Sequence, residues 1–170
     1  MRLINGYGQL GSRLKELLST HIPEDVCIYH TWNVVDKSID TQQKEYEKFI
    51  KFIDNQTYNK LIFISTRSQN ETWYTWFKQK AESYLMQNCE NNCMILRLPT
   101  FIGKPCKLFE LNATAWGMVE LISIETAANE ILRHSQKEVG RGKKVIYDIK
   151  GEVISAQLVL DILKTQKSNI

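Results

Sequence analysis

At 170 residues, 43% hydrophobic and 24% charged, the chain is long enough for one domain with its own core and too short for two full ones. Its net charge of +3 comes from mixed-sign sequence in which the basic runs KFIKF and GRGKK are short and far apart, which argues against a nucleic-acid partner. No apolar run approaches the roughly 18 residues of a membrane span. The amino terminus lacks a signal peptide's charged and apolar regions, so a cytoplasmic protein with no membrane partner is expected. Cys27, Cys89, Cys93 and Cys106 form no paired CxxC framework and have no histidine at ligand spacing. They read as reduced thiols, with neither a metal site nor disulfides expected.

The opening eighteen residues, MRLINGYGQLGSRLKELL, organise the rest. Leu3 and Ile4 read as a short strand, and Leu10, Leu14, Leu17 and Leu18 recur at helical spacing after it. Between them Gly6, Gly8 and Gly11 form GxGxxG: a tight turn, a close backbone approach for a pyrophosphate, and close packing of helix on strand. Helix N–H groups then face an anion. Gly6, Tyr7, Gly8, Gln9, Leu10 and Gly11 are therefore the candidate phosphate-binding turn for NAD or NADP.

Residues 22–25 break the pattern, and 26–29, VCIY, read as a second buried strand. In a dinucleotide fold its end would face the adenosine ribose. That zone holds His30, Thr31, Trp32 and Asn33, with neither the acid that selects NAD nor an arginine for NADP, so the two cofactors stay open. Thr31 is a candidate cofactor contact. His30 reads as a strand-end residue rather than a catalyst. An edge strand is expected to be missing or reduced to residues 32–35.

Residues 40–54 place Tyr46, Phe49, Ile50 and Ile53 on one face of a covering helix, and residues 61–64, LIFI, form the next buried strand. This alternation predicts a Rossmann-like α/β fold: a doubly wound parallel sheet of about five or six strands, helices on both faces. Ser65 and Thr66 end that strand at the carboxyl edge, where such sheets keep their ligands. Ser68 with Glu71 suggests a capping box for a helix over about 70–87, on which Tyr74 and Lys78 share a face. A neighbouring ammonium would lower the phenol's pKa from about 10 and fit Tyr74 for acid–base work beside the Thr66 hydroxyl. YxxxK by itself also occurs by chance on surface helices.

IFIST, YTWFKQKAESYL and MILRLPTFIGKP, in that order, resemble the short-chain dehydrogenase/reductase superfamily, in particular its extended nucleotide-sugar epimerase, dehydratase and reductase branch. Tyr74, Lys78 and Glu82 match YxxxKxxxE, and residues 96–103 match RLPxxYGP with Ile102 in place of tyrosine. MVELISIETAANEILRHS looks like the family's helix after the sugar-binding insertion, and KKVIYDIKGEVISAQLVLDIL like its last strand and helix, with Ser155 as N-cap. The resemblance implies one NAD(P)-binding domain over residues 1–170, with Thr66 orienting substrate and Tyr74 as general acid/base. Lys78 would hold the nicotinamide ribose, and Ser65 and Pro99 would lie on the cofactor. The implied substrate is a small molecule, a nucleotide-linked keto-sugar, turned over by hydride transfer. A homodimer is implied through the YxxxK helix, where Trp73, Trp76 and Phe77 read either as contacts or as monomer packing.

The chain departs from that branch on the substrate side. Its glycine motif is one residue shorter than GxxGxxG, seven residues separate Thr66 from Tyr74, and little of a substrate-closing domain stands between Gly103 and Val119. Two further readings therefore stand beside a minimal reductase or epimerase: a catalytically inactive NAD(P)-binding or interaction protein, and a scaffold subunit.

Overall fold

A computed structural model describes residues 3–5, 8–21, 26–102, 117–140 and 142–167. The elements run β1 (Leu3–Asn5), α1 (Gln9–His21), β2 (Val26–Tyr29), α2 (Ile39–Asn55), β3 (Lys60–Thr66), α3 (Trp73–Asn88) and β4 (Asn92–Leu98). They continue with β5 (Thr100–Ile102), β6 (Met118–Ser123), α4 (Ile124–Ser135), β7 (Lys144–Asp148), β8 (Glu152–Ser155) and α5 (Ala156–Lys167).

The apolar runs VCIY, LIFI and CMIL are buried on both faces, which is what a parallel sheet covered by helices requires. β1, β2, β3, β4 and β7 form that sheet in this order, every pair parallel, with β3 and β4 in register from Lys60 opposite Asn92 to Thr66 opposite Leu98. Alternate side chains divide the core in two. Ile28, Ile62, Ile64, Met94 and Leu96 pack with Leu10 and Leu14 of α1 and Ala127, Ala128 and Ile131 of α4. Cys27, Tyr29, Leu61, Phe63, Cys93 and Ile95 pack with Phe49 and Ile53 of α2 and Phe77, Ala81 and Leu85 of α3. This is a Rossmann-like α/β architecture with helices on both faces. No described helix is long and apolar enough to cross a membrane.

The strand order corrects one expectation. In a dinucleotide-binding sheet the first strand lies centrally and the order reverses around it. Here β1 is bonded to β2 alone among the described strands, and β2 lies between β1 and β3. VCIY therefore lies between β1 and β3 and not on the outer side of β1. Residues 32–35 form no strand. A second consequence follows from the faces. The connections through α1, α2 and α3 carry the chain across the sheet in one direction, but α1 lies on one face and α2 and α3 on the other. The first connection is thus of opposite hand to the next two, and the strong preference for right-handed crossovers holds on only one side of β2.

A small second sheet packs beyond the carboxyl edge: β6 lies between parallel β5 and antiparallel β8. Residues 118–123 read from sequence as the first part of a helix over MVELISIETAANEILRHS, yet they form β6, with Ser123 capping α4 through Thr126 N. Glu120 binds the two sheets together, because its Oε1 accepts from Arg67 Nη1 at 2.5 Å and from Gly151 N at 2.8 Å. Gly151 is needed there: a Cβ would run into the Leu121 carbonyl and the Pro99 ring.

Candidate active site at the carboxyl edge of β3

The site begins where β3 ends. Thr66 Oγ1 accepts from Ser68 N at 3.1 Å, and Arg67 N bonds back to Leu98 O at 2.9 Å, so the chain turns sharply and reaches α3 within a few residues. Thr72 caps that helix in a reciprocal box with Thr75, in place of the expected Ser68 and Glu71. The later start puts Tyr74 in the first helical turn, its ring against the α2–α3 core. There the short connection brings the Thr66 hydroxyl near enough to bear on the Tyr74 phenol. Burial pushes the phenol up to about 12, and Thr66 pulls it back only in part.

One turn further on, Lys78 is 3% exposed. Its Nζ donates to Ile64 O at 2.7 Å and stands 4.4 Å from the Trp32 ring and 4.7 Å from that of Phe63. Desolvation lowers its pKa to about 7, against the pull of Glu82 and Glu45. The expected lowering of the Tyr74 pKa by Lys78 is therefore corrected: the ammonium is committed to a strand carbonyl and two rings, and the phenol is set by burial and Thr66. Glu82, the third member of the motif, is 4% exposed and is held by Arg97, whose Nη2 lies 2.6 Å from Oε2.

Two polar atoms at this edge are buried and lack a hydrogen-bond partner among the described residues: Ser65 Oγ, on a residue 5% exposed, and His30 Nε2 just past β2. Such orphans mark places where a ligand or water completes the bonding. Burial and the charges of Lys78 and Lys15 hold the His30 imidazole down at about 4, so it is neutral at physiological pH. Trp32 is pinned over Lys78 by its Nε1 bond to Gln42 Oε1 at 2.7 Å, and Gln42 also ties down the carbonyls of Asn33 and Asp36. Sequence reasoning passed over Trp32 and Gln42, since neither stands at a motif position. A fully buried glutamine, on the same α2 face as Glu45, Phe49 and Ile53, leaves no trace in hydrophobic spacing.

Of the predicted phosphate turn, Gly6 and Tyr7 lie outside the described residues. Gly8 is exposed, and its carbonyl accepts the first α1 bond from Ser12 N at 2.9 Å, so the N–H groups of Gln9, Leu10 and Gly11 precede any helical bond. Gln9 is exposed, Leu10 and Gly11 buried. Thr31 is half-buried in the segment after β2. Pro99 is buried where the chain leaves β4 for the small sheet. The structure thus gathers Ser65, Thr66, Tyr74 and Lys78 around the β3–α3 corner.

No protein-family model and no curated protein sequence matches the chain. Solved structures do match. RMD from Pseudomonas aeruginosa, complexed with NADPH, superposes with a TM-score of 0.72 at 12% identity over 99% of this chain and 85% of that one. UDP-N-acetylglucosamine 4-epimerase from Bacillus cereus gives 0.63 at 14% identity, again over 99% and 85%. DesIV, a dTDP-glucose 4,6-dehydratase from Streptomyces venezuelae with NAD and DAU bound, gives 0.61 at 14% identity. The chain shares the fold of these solved structures. The match covers 94% of this chain but 61% of DesIV.

Proposed function

We propose that the protein is an NAD(P)-dependent oxidoreductase that works in the direction of carbonyl reduction on a small keto-sugar, nucleotide-linked as for the proteins it superposes on. The observation that carries this is the buried Tyr74 phenol beside Thr66 at the sheet edge, held protonated by its burial. Reduction of a ketone needs a proton donor at the oxygen, and a phenol at about 12 is an acid throughout the physiological range. Removing a proton from an alcohol needs the phenolate, which this environment disfavours, so an epimerase cycle is the less suited of the two.

The residues at the edge fit a nicotinamide nucleotide on the chemistry side, where the orphaned Ser65 Oγ and His30 Nε2 offer bonds that nothing described completes. When bound, NAD(P)H supplies hydride. Thr66 orients the substrate carbonyl, Tyr74 donates the proton to its oxygen, and Lys78 takes the ribose hydroxyls. Ser65, Thr31 and Pro99 line the nucleotide, and the turn from Gly6 through Tyr7, Gly8, Gln9 and Leu10 to Gly11 receives its pyrophosphate. Trp73 and Trp76 on α3 are 45% and 48% exposed, whereas Phe77 is buried at 4%; the two tryptophans would form the contact of a homodimer in the cytoplasm.

A second reading, a binding protein without turnover, is favoured by one observation: Lys78 is engaged by Ile64 O and roofed by Trp32. The test is oxidation of NADH or NADPH by wild type and Tyr74→Phe against a panel of keto-sugars. Turnover in wild type that the variant loses, with cofactor binding kept, supports the enzyme. Cofactor binding with no turnover of any panel member supports the binding protein, and no binding of either cofactor removes both readings.

A further inference from the structure

Lys78, which the proposed reaction assigns to the nicotinamide ribose, is shut away from solvent in this structure. The residue is 3% exposed, its Nζ donates to Ile64 O at 2.7 Å, and the rings of Trp32 and Phe63 stand 4.4 and 4.7 Å from that nitrogen. Phe63 is fixed in the middle of β3, whereas Trp32 belongs to the connection between β2 and α2. Of the two rings, only the indole can leave without disturbing the sheet. Its hold is specific. Gln42 is completely buried, and its Nε2 donates to Asn33 O at 2.8 Å and to Asp36 O at 2.6 Å. Both amide hydrogens are thereby spent, so Oε1 is left to accept, and it takes the Trp32 Nε1 proton at 2.7 Å. A buried indole N–H needs a partner, but a single carbonyl would suffice. Here the partner is an amide that also clamps the connection at two carbonyls, so indole and connection are released together. Val34 and Val35 at its tip are 57% and 81% exposed, which leaves the clamp with little apolar burial to assist it.

We infer that Trp32 and Gln42 are positioning residues that act through Lys78: the glutamine latches the indole over the amine, and the amine stays on the Ile64 carbonyl until that latch opens. The inference rests on the reading of Lys78 as the ribose ligand. With the indole in place, so little of the lysine reaches the surface that ribose hydroxyls have no approach to its nitrogen. With the indole displaced, the amine can exchange the strand carbonyl for the ribose. Cofactor then binds only the fraction of molecules already open, and its measured affinity is reduced by that fraction. Trp32 also packs beside Phe49 and Phe63, at 6.1 and 6.2 Å between ring centroids. A tryptophan that only filled this core and one that also gates Lys78 differ in the sign of their effect on cofactor binding.

Two variants open the latch: Trp32→Leu removes the ring, and Gln42→Met removes the amide. Each should bind NADH or NADPH roughly three- to tenfold more tightly than wild type while unfolding at a lower temperature. A residue that merely filled the core would weaken cofactor binding together with stability. Reductive methylation, mapped by mass, reads the enclosure without any cofactor. In wild type Lys78 should react roughly tenfold more slowly than exposed Lys80 on the same helix, and in both variants at a comparable rate. Trp32→Phe, which keeps a ring without the N–H, should fall between wild type and Trp32→Leu in both readouts. Circular dichroism checks folding, and should Trp32→Leu not fold, Gln42→Met decides. Unchanged or weaker cofactor binding in the variants, or wild-type Lys78 labelled as fast as Lys80, would overturn the inference. If wild type and every variant bind neither cofactor, the oxidoreductase reading fails instead. Faster labelling in the variants then still supports the latch, and an unchanged rate overturns it.

Discussion

The two flanks of the parallel sheet are unequally built. On one, β3, α3 and β4 pair over seven residues and bring two hydroxyls, a buried lysine and two orphaned polar atoms to one corner. On the other, β1 is a three-residue strand bonded on one side only among the described strands, and α1 leaves it with opposite hand. The contrast bears on the proposed function: its proton-transfer groups need only a strand end and the first turns of one helix, whereas a dinucleotide's far half is served by strands beyond the first. If the proposal holds, cofactor affinity comes from the end of β3 and the glycine turn.

The largest expected effect tests the stronger flank. Tyr74→Phe should lower keto-sugar reduction by roughly 10²–10⁴-fold, the usual worth of a positioned acid, while cofactor titration by fluorescence stays within about twofold of wild type. A variant that keeps full turnover would break the comparison at its strong side.

Lys78→Met sharpens it through stability. The folded pKa of about 7 lies below the ordinary 10.5, so between those values the unfolded chain binds a proton that the native protein does not. Stability therefore rises from pH 7 to about 10.5 and carries the full cost of a buried charge below 7. Denaturant melts should show a steeper rise in wild type than in Lys78→Met, the difference between the two growing by roughly 2 kcal/mol from pH 7 to about 8.5. His30 adds a smaller rise between its folded value near 4 and the ordinary 6.5, which both proteins should share.

The weaker flank is tested by cutting the cofactor. Reduced nicotinamide mononucleotide, which lacks the adenosine half, should bind within about tenfold of NADH, a difference below ~1.4 kcal/mol. A loss of several orders of magnitude would mean that adenosine is gripped by groups beyond β1, and the asymmetry would be wrong. The smallest effect is expected from Arg13→Ala. Arg13 joins α1 to α4 through Glu125 at 2.7 and 2.8 Å, but the pair is exposed, and the unfolding midpoint should hardly move.

The parts of this molecule that announce themselves in sequence are those where one residue type answers one physical need. Apolar runs gave β2, β3 and β4, the 3.6 spacing of Phe49 and Ile53 gave α2, and Ser65, Thr66, Tyr74 and Lys78 stand together at the corner that their spacing and the YxxxK motif suggest. What spacing cannot carry is pairing order. VCIY reads identically whether it lies outside or inside β1, and the missing reversal shows only in the register of β1 with β2 and of β2 with β3. The environment of Lys78 was hidden for a related reason. Its neighbours Trp32 and Ile64 are 46 and 14 positions away in sequence, so a motif that sets Tyr74 and Lys78 one turn apart is silent on which way the ammonium turns. The small sheet escaped notice because Gly151 and Glu120 are matched by shape and a shared carboxylate.

Because β1 through β4 stand in the sheet in the order in which a ribosome emits them, each strand can be added to an open border of what has already been made. The usual central placement of the first strand forces later segments to be laid on both of its sides. Here a nascent chain builds outward only, and β7 closes the far border after β5, β6 and α4 have emerged.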